Sequence, residues 1–140
     1  MRIKHEWRFV EAGEWTWLEV VIDAARAECQ ELQCTSRAET FARITEGIVS
    51  NDRWEYRITV NGTTAAIACI VPDDDPHVGP CLSMQWHYVL PEYRCLKLGS
   101  KALRVLVQLA KEHAVPYAYT RRTGAGVYML KYGGWGSQLN

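Results

Sequence analysis

Residues 88–100 read Tyr-Val-Leu-Pro-Glu-Tyr-Arg-Cys-Leu-Lys-Leu-Gly-Ser and are the most informative stretch of the sequence. Apolar residues predict a strand over residues 81–90, which Pro91 ends because proline lacks the N–H that a strand ladder needs. Apolar positions at helical spacing then predict a helix over residues 98–113. A strand therefore leads into a helix through a short turn.

Basic side chains crowd the start of this predicted helix. Four of them recur at helical spacing, namely Arg94, Lys97, Lys101 and Arg104. The helix macrodipole is already positive at this end, so the cations are mildly destabilising unless an anion compensates them. Free backbone N–H groups, the small Gly99 and the Ser100 hydroxyl would all suit phosphate oxygens. A solvated basic face would explain the same spacing at little cost, and spacing alone leaves both interpretations open.

The preceding part of the chain predicts a mixed α/β order. We expect a strand over residues 6–10, one long amphipathic helix over residues 14–32, and a second helix that begins at a capping box of Ser36 and Glu39. A hairpin follows, in which Asn61-Gly62 forms a type I′ turn between strands over residues 54–60 and 63–71. The second of these strands is apolar on both faces, which predicts helices on either side of it.

The remaining segments complete this order. Residues 72–80 predict a solvated loop, because they combine proline and glycine with three consecutive aspartates. A further strand is predicted over residues 115–120, and a short helix over residues 127–132. The helix would end at Gly133, Gly134, Trp135 and Gly136.

The composition limits the classes of function. A chain of 140 residues with 48% hydrophobic residues is the size of one domain, residues 1–140. Sixteen basic residues balance sixteen acidic ones, so a broad electrostatic grip on nucleic acid or on an anionic membrane is not expected. Neither a signal peptide nor a membrane span is predicted, which favours a soluble, cytoplasmic protein. The five cysteines and four histidines are scattered, so we expect reduced thiols and no metal site.

The segment V-L-P-E-Y-R-x-x-x-L-G-S-x-A-L resembles motif A of the GNAT family of N-acetyltransferases. In that family the motif reads Arg or Gln, two residues, Gly, one residue, Gly or Ala, and its loop holds the pyrophosphate of acetyl-CoA. Carried over to this sequence, Arg94 takes the first position and Gly99 the last, whereas Lys97 replaces the first glycine. The Lys97 side chain would either keep the diphosphate from approaching the loop backbone closely or place a cation beside it.

The resemblance also implies a fold, a mixed and mostly antiparallel central sheet flanked by helices on both faces. Residues 129–135 resemble the family's F-Y-x-K-x-G-F ending with one extra glycine. The chain then ends where family members continue into a sixth and a seventh strand, so we expect a fold that is short at the C-terminus. The resulting open sheet edge would suit a homodimer. Small proteins of similar shape occur in tailed bacteriophages, which implies a phage-encoded member in the host cytoplasm or the virion.

The activity that the resemblance implies is direct transfer of acetyl from acetyl-CoA to an amine on a small molecule or a protein. The acceptor amine must lose a proton, and the resemblance implies that the base is a Glu on the strand over residues 81–90 or a water held by polar residues there. By alternation, Ser83, Gln85, His87 and Val89 share one face of this strand. His87 is the titratable side chain of suitable pKa on that face and is the candidate base, with a packed or hydrogen-bonded histidine as the alternative.

The resemblance implies further site residues. The family's general acid is a tyrosine in the last helix, and Tyr128 is the candidate here, with a tyrosine packed on the sheet as the alternative. A backbone N–H of Val89 or Leu90 would bind the thioester carbonyl. Arg121 and Arg122 would bind an acidic acceptor or be solvated. The full coenzyme-binding set is Val89, Leu90, Arg94, Lys97, Leu98, Gly99, Ser100 and Lys101.

Two other interpretations compete with an acetyltransferase. A catalytically silent GNAT-like protein with a binding or structural role is favoured by Lys97 in place of glycine, by the lack of a carboxylate in residues 81–90, and by the expected loss of terminal strands. An unrelated α/β domain could use the turn over residues 94–100, here called the basic turn, to bind a different anion. If the protein's own acidic side chains filled this turn, or if no cleft lay beside it, the acetyltransferase interpretation would be wrong.

Overall fold

The computed structural model describes residues 1–134, which form a six-stranded sheet in the order β1-β2-β3-β4-β5-β6. Every neighbouring pair is antiparallel except β4 and β5, which are parallel. The predicted mixed and mostly antiparallel sheet is therefore confirmed. The strands are β1 (Ile3–Val10), β2 (Arg53–Val60), β3 (Thr63–Asp75), β4 (Gly79–Val89), β5 (Tyr117–Gly124) and β6 (Val127–Gly133).

The helices are α1 (Ile22–Glu28), α2 (Arg37–Val49) and α3 (Gly99–Glu112), with 3₁₀ turns at Trp17–Val21, Gln30–Leu32 and Pro91–Leu96. The expected single helix over residues 14–32 is wrong, because Cys29 adopts an extended conformation (φ −102°, ψ 111°) and divides it. Two 3₁₀ turns flank the short α1 and keep the apolar residues on one side. The second helix begins as predicted, with the Ser36 hydroxyl accepting a hydrogen bond from the Glu39 N–H at 3.2 Å.

Helices cover both faces of β3, as its two-sided apolar sequence predicts. Ile67, Cys69 and Val71 pack with α1 and α2 on one face. Ala66, Ala68 and Ile70 pack with α3 on the other face, where the small alanines admit the helix closely. We call these the α1/α2 face and the α3 face. The sheet is therefore the central layer, and α3 lies directly over the strands that adjoin the basic turn.

Two turns decide how the central strands are connected. Asn61 (φ 50°) and Gly62 (φ 82°) form the predicted tight turn between β2 and β3. The expected solvated loop over residues 72–80 is wrong, because β3 and β4 continue as a paired ribbon from Asp73↔Cys81 to Asp75↔Gly79. The ladder satisfies the backbone there. Asp73 and Asp74 are exposed on the ribbon, and Asp75 accepts hydrogen bonds from the Tyr132 hydroxyl.

The predicted short helix over residues 127–132 is also wrong, because these residues form β6. A turn with Gly126 in the left-handed region (φ 67°) reverses the chain, and β6 pairs with β5 from Gly124↔Val127 to Tyr117↔Gly133. Pairing with β5 satisfies more backbone groups than an isolated turn and a half of helix could. The expectation that the chain ends before a sixth strand is therefore also wrong, because β6 is that strand. Trp135 and Gly136, which were expected to end the helix, lie outside the described residues.

The remaining sequence expectations concern the surface and the cysteines. No helix within residues 1–134 is long and apolar enough to cross a membrane. That part of the chain also contains no group of three or more His, Cys, Asp or Glu side chains placed to hold a metal ion. All five cysteines are free thiols, three of them buried and two exposed. The cysteines are therefore packing residues or surface residues in this fold.

Candidate functional site

A cleft of about 820 Å³ opens between β4 and β5. The two strands pair only over Leu82–Met84 and Tyr117–Tyr119 and then diverge toward their carboxyl ends. The walls of the cleft come from the end of α1 and the 3₁₀ turn after it, from β4, from the start of α3, and from β5 and β6. Ligands of α/β domains bind where neighbouring parallel strands separate at their carboxyl ends, so this cleft is the candidate site.

A β-bulge in β4 decides on which face of the sheet each side chain of this strand lies. Cys69 pairs with Trp86 and Ile70 with Met84, so Gln85 is the extra residue. The bulge puts His87, opposite Ala68, on the α3 face, whereas Ser83, opposite Val71, is on the α1/α2 face. The prediction that Ser83, Gln85, His87 and Val89 share one face is therefore wrong. A bulge resets the alternation and leaves no clear sequence signal.

The His87 imidazole lies in the cleft beside the start of α3. A Cβ added to Gly99 would be 3.5 Å from the His87 Cε1 atom, an ordinary van der Waals contact. The side chain is exposed to the cleft, and no group within residues 1–134 forms a hydrogen bond to it. Neighbouring protein atoms partly desolvate the ring, which lowers the pKa of His87 from its ordinary value of 6.5. The imidazole is therefore neutral at pH 7 and able to accept a proton.

The first turn of α3 forms one end of the cleft and has the properties of an anion site. Leu98 occupies the N-cap position without a side-chain hydrogen bond, and the first turn has no acidic residue. The Lys101 N–H donates to the Leu98 carbonyl at 3.2 Å, which leaves the N–H groups of Leu98, Gly99 and Ser100 without an intrahelical acceptor. The Ser100 hydroxyl donates to the Lys97 carbonyl at 3.2 Å. The backbone donors, more than the serine, are thus available to an anion.

Lys97 ends the 3₁₀ turn Pro91–Leu96 in the left-handed region, with φ 56° and ψ 36°. Glycine adopts this conformation without strain, which explains in physical terms why a glycine would suit the position. The Lys97 side chain is exposed and is not part of the cleft wall. Neither Lys97 nor Lys101 takes part in an ion pair within the described residues. Two cations therefore adjoin the free N–H groups.

Arg94, the predicted first residue of the phosphate motif, is already bonded to protein groups. Its two terminal nitrogens each donate to a Glu28 carboxylate oxygen at 2.5 Å, and its Nε donates to the Val89 carbonyl at 3.1 Å. The Tyr88 hydroxyl donates to the same carboxylate at 3.0 Å. One acidic side chain thus occupies the motif arginine, although the cleft beside it stays open and the first turn of α3 is not filled.

The two candidate oxyanion donors differ in availability. The Leu90 N–H donates to the Ala65 carbonyl at 2.9 Å and is therefore occupied by β3. Successive amides along a strand point to opposite edges, so the Val89 N–H points away from β3 and toward the gap between β4 and β5. Of the two residues, Val89 is the one whose backbone donor faces the cleft.

Tyr128 lines the cleft from β6, not from a helix. Its hydroxyl donates to Glu31 at 2.7 Å, and the Arg122 Nε donates to the same carboxylate oxygen at 3.0 Å. Burial and the Glu31 carboxylate together raise the pKa of Tyr128 to about 12, so the phenol stays protonated at neutral pH. Arg122 is therefore paired rather than solvated.

Glu28, Glu31 and Tyr88 are cleft residues that no sequence pattern identified. Each carboxylate is held by an arginine and a tyrosine that follow it by at least 60 positions in the chain. No local motif records such a pairing, and the two glutamates read as ordinary polar positions of a helix. The sequence singled out one of these partners, Arg122, but it contained no signal that Glu31 binds it.

Comparison with known proteins assigns the chain to a class. A family model described as "Acetyltransferase (GNAT) family" matches residues 19–128, which is most of the chain and includes β4, the basic turn and β5. The fold is an α/β domain with a cleft where two parallel strands separate, and the chain belongs to the GNAT family of acetyltransferases. No curated protein matches the chain at a significant level.

Solved structures show the same fold at low sequence identity. An integron cassette protein from the mobile metagenome of V. cholerae has a TM-score of 0.59 at 14% identity, covering 85% of this chain and 76% of that one. A predicted acetyltransferase with acetyl-CoA from Clostridium acetobutylicum has a TM-score of 0.58 at 15% identity, covering 86% and 82%. An aminoglycoside 6′-N-acetyltransferase of Acinetobacter baumannii has a TM-score of 0.55 at 12% identity, covering 88% and 83%.

Proposed function

We propose that this protein is an acetyl-CoA-dependent N-acetyltransferase that transfers acetyl directly to an amine. The observation that carries the proposal is the open cleft at the diverging ends of β4 and β5, with the uncapped first turn of α3 at one end. Membership in the GNAT family supports the reaction class and the co-substrate, and the similar C. acetobutylicum structure contains acetyl-CoA.

The residues of the cleft fit such a coenzyme. The diphosphate would be held by the N–H groups of Leu98, Gly99 and Ser100, with Lys97 and Lys101 supplying positive charge. The thioester carbonyl would accept a hydrogen bond from the Val89 N–H. When bound, acetyl-CoA supplies an activated acetyl group, and transfer forms a C–N bond to the acceptor while the C–S bond breaks and the CoA thiol leaves.

His87 is the proposed base. An alkylammonium with a pKa of about 10.4 must lose its proton before it attacks, at a cost of roughly 4–5 kcal/mol at pH 7. The neutral imidazole of His87 is exposed in the same cleft and can accept this proton, directly or through one water. The Tyr128 hydroxyl remains the candidate that returns a proton to the leaving thiolate, and its hydrogen bond to Glu31 must first break.

The partner is an amine acceptor, either a small molecule or a protein. One of the similar structures is named as an aminoglycoside 6′-N-acetyltransferase, which supports a small-molecule amine as the first class to test. A homodimer is compatible with the two edge strands, β1 and β6. A cytoplasmic location is also part of the proposal. The three similar structures described above are not named as bacteriophage proteins, so a phage origin and a virion location stay predictions.

The test is release of free thiol from acetyl-CoA in the presence of a panel of amines: aminoglycosides, polyamines, amino acids and short peptides with free N-termini. We expect at least one class to accelerate thiol release in proportion to protein concentration. Binding of acetyl-CoA without thiol release from any class would instead favour the silent binding module. Absence of both binding and release would contradict the proposed function.

A further inference from the structure

The contact between Glu28 and Arg94 joins two walls of the cleft. Glu28 is the last residue of α1, and Arg94 lies in the 3₁₀ turn that precedes α3. The fork is bidentate, with both nitrogen–oxygen distances at 2.5 Å, and Tyr88 adds a third hydrogen bond to the carboxylate. The guanidinium is therefore fully engaged on the side that faces α1.

The same guanidinium lies at the end of the cleft where free backbone N–H groups collect. The Arg94 Nε donates to the Val89 carbonyl at 3.1 Å, and a Cβ at Gly99 would lie 4.0 Å from the Val89 Cγ2 atom. Arg94 and the first turn of α3 therefore adjoin the same residue, and an anion bound by that turn would lie near Arg94. One guanidinium cannot neutralise a carboxylate and a diphosphate equally. The side chains of Arg94 and Glu28 remain 45% and 32% exposed, and an ion pair with that much solvent contributes little, so an anion of higher charge can displace the carboxylate.

We propose that Glu28 competes with the coenzyme diphosphate for Arg94, and that the displaced carboxylate, then held by Tyr88 alone, binds the ammonium group of the acceptor. This inference rests on the proposed function. It adds an order of events. Before the coenzyme binds, Arg94 pairs with Glu28; once the diphosphate binds Arg94, the Glu28 carboxylate becomes available to the acceptor. Each ligand then strengthens the binding of the other, as linkage requires.

Electrostatic effects agree with an ionised carboxylate on both sides of the exchange. The Arg94 hydrogen bond, followed by that of Tyr88, outweighs burial and lowers the pKa of Glu28 from 4.5. The carboxylate is thus charged at neutral pH while paired. Once Arg94 is withdrawn, a lone carboxylate in the cleft favours a cationic partner, and an amine acceptor at neutral pH is such a cation.

Glu31 provides a matched control within the same cleft wall. It has the same constellation, an arginine fork and a tyrosine hydroxyl, but its partners are Arg122 and Tyr128. Neither partner adjoins the first turn of α3 in sequence. Replacing Glu31 by glutamine therefore removes a carboxylate of similar surroundings without releasing Arg94.

The first experiment measures the dissociation constant of CoA by isothermal titration for the wild type, Glu28→Gln and Glu31→Gln. We expect Glu28→Gln to tighten CoA binding about two- to five-fold, the range that an exposed ion pair corresponds to, and Glu31→Gln to leave it unchanged. In an Arg94→Gln background the Glu28→Gln effect should vanish. Pantetheine, which lacks the diphosphate, should bind all variants alike.

The outcomes separate this inference from the proposed function. Equal or weaker CoA binding by Glu28→Gln, with the wild type still binding CoA, overturns the competition and leaves the acetyltransferase proposal standing. Absence of CoA binding in the wild type overturns both. A tightening that persists with pantetheine or in Arg94→Gln also overturns the exchange. Melting temperatures of the free variants verify that each remains folded.

The second experiment tests the unmasked carboxylate. With the most active amine of the thiol-release panel, Glu28→Gln should raise KM for the amine several-fold while KM for acetyl-CoA falls. Opposite movement of the two KM values is not expected from a merely structural residue. An unchanged KM for the amine would overturn the acceptor role of Glu28.

Discussion

The His87 imidazole lies open in the cleft, 3.5 Å from the position of a Cβ at Gly99, at the point where the strand and the helix meet. It has no hydrogen-bond partner within residues 1–134, and desolvation keeps its pKa below the ordinary 6.5. A buried structural histidine has at least one hydrogen-bond partner in the protein or in ordered water, whereas the His87 side chain is open to the cleft. The surroundings of His87 fit a proton acceptor whose partner arrives with the substrate.

Replacing His87 by glutamine should reduce turnover about 100-fold and leave the affinity for CoA unchanged, because a positioned base contributes about 10²–10⁴-fold. The wild-type rate should rise with pH along a limb whose midpoint lies below 6.5, since desolvation lowers the pKa of the imidazole from that value. The variant should lose this limb of the pH profile. Retention of the limb in the variant would assign the titration to another group.

Lys97 offers a test of two opposed effects of one side chain. Its left-handed backbone conformation lowers the free energy of unfolding by about 1 kcal/mol or more, compared with a glycine at the same position, because lysine has a Cβ. Lys97→Gly should therefore unfold at higher urea concentration, yet bind CoA about two- to five-fold more weakly because a cation is lost. Lys97→Gln is the matched control, which should weaken binding without the gain in stability. Tighter CoA binding by Lys97→Gly would mean that the side chain blocks the loop.

At the scale of elements, turn and cap signals were reliable, whereas the type and extent of several helices and strands depended on contacts with residues far along the chain. The Asn61-Gly62 turn and the Ser36 cap depend on neighbouring residues, and both form as expected. The helix predicted over residues 127–132 failed because β5 offers an edge that the sequence does not reveal. The bulge at Gln85 also arises from pairing with β3, so alternation along β4 alone misassigned Ser83.

The parts of the candidate site that are contiguous in the chain could be predicted from the sequence, and the parts that depend on long-range contacts could not. The strand, turn and helix start that form the anion end of the cleft are contiguous, and the pattern of residues 88–100 predicted them. Glu28 and Glu31 were missed because their partners lie far along the chain. The Leu90 N–H is bonded to β3, whereas the Val89 N–H faces the cleft. This difference arises from the pairing of β4 with β3, which the sequence of β4 alone does not show.

The Glu31 contact fastens the 3₁₀ turn after α1 to β5 and β6, and its effect on stability depends on pH. Hydrogen bonds from Arg122 and then Tyr128 lower the pKa of Glu31 from 4.5 to about 2. A carboxylate with a depressed pKa stabilises the fold above its unfolded pKa, and this contribution is lost as pH falls from about 4.5 toward 2. Glu31→Gln should therefore be less stable than the wild type at pH 7.

Urea unfolding of the wild type and Glu31→Gln at several pH values checks this expectation. The difference in the free energy of unfolding should be constant from pH 7 to pH 5 and shrink below pH 4.5, because protonation of the wild-type carboxylate removes the same interaction. Tyr128→Phe, which removes one donor and keeps the carboxylate, should have a smaller effect. A difference that does not change with pH would show that Glu31 acts through packing alone.

At the scale of the whole molecule, the sheet is continuous from β1 to β4 and separates only where β5 runs parallel to β4. This single change of strand direction opens the cleft, and the chain that leaves β4 returns through α3, so the helix start lies at the cleft end. The six strands and both helical layers are formed within residues 1–134. The low identity of 12–15% to similar structures leaves this geometry, rather than side-chain detail, as the shared property.

The central claim is that the cleft beside the first turn of α3 binds acetyl-CoA, and titration calorimetry with Gly99 variants tests it most directly. We expect saturable one-to-one binding by the wild type and by Gly99→Ala, whose methyl group would make ordinary van der Waals contacts with His87 and Val89. Gly99→Trp should fill the cleft and abolish binding while the protein stays folded. At an acetyl-CoA concentration 100 times Kd, the wild type should gain about 2.7 kcal/mol of stability. No binding by the wild type, or undiminished binding by Gly99→Trp, would contradict the claim.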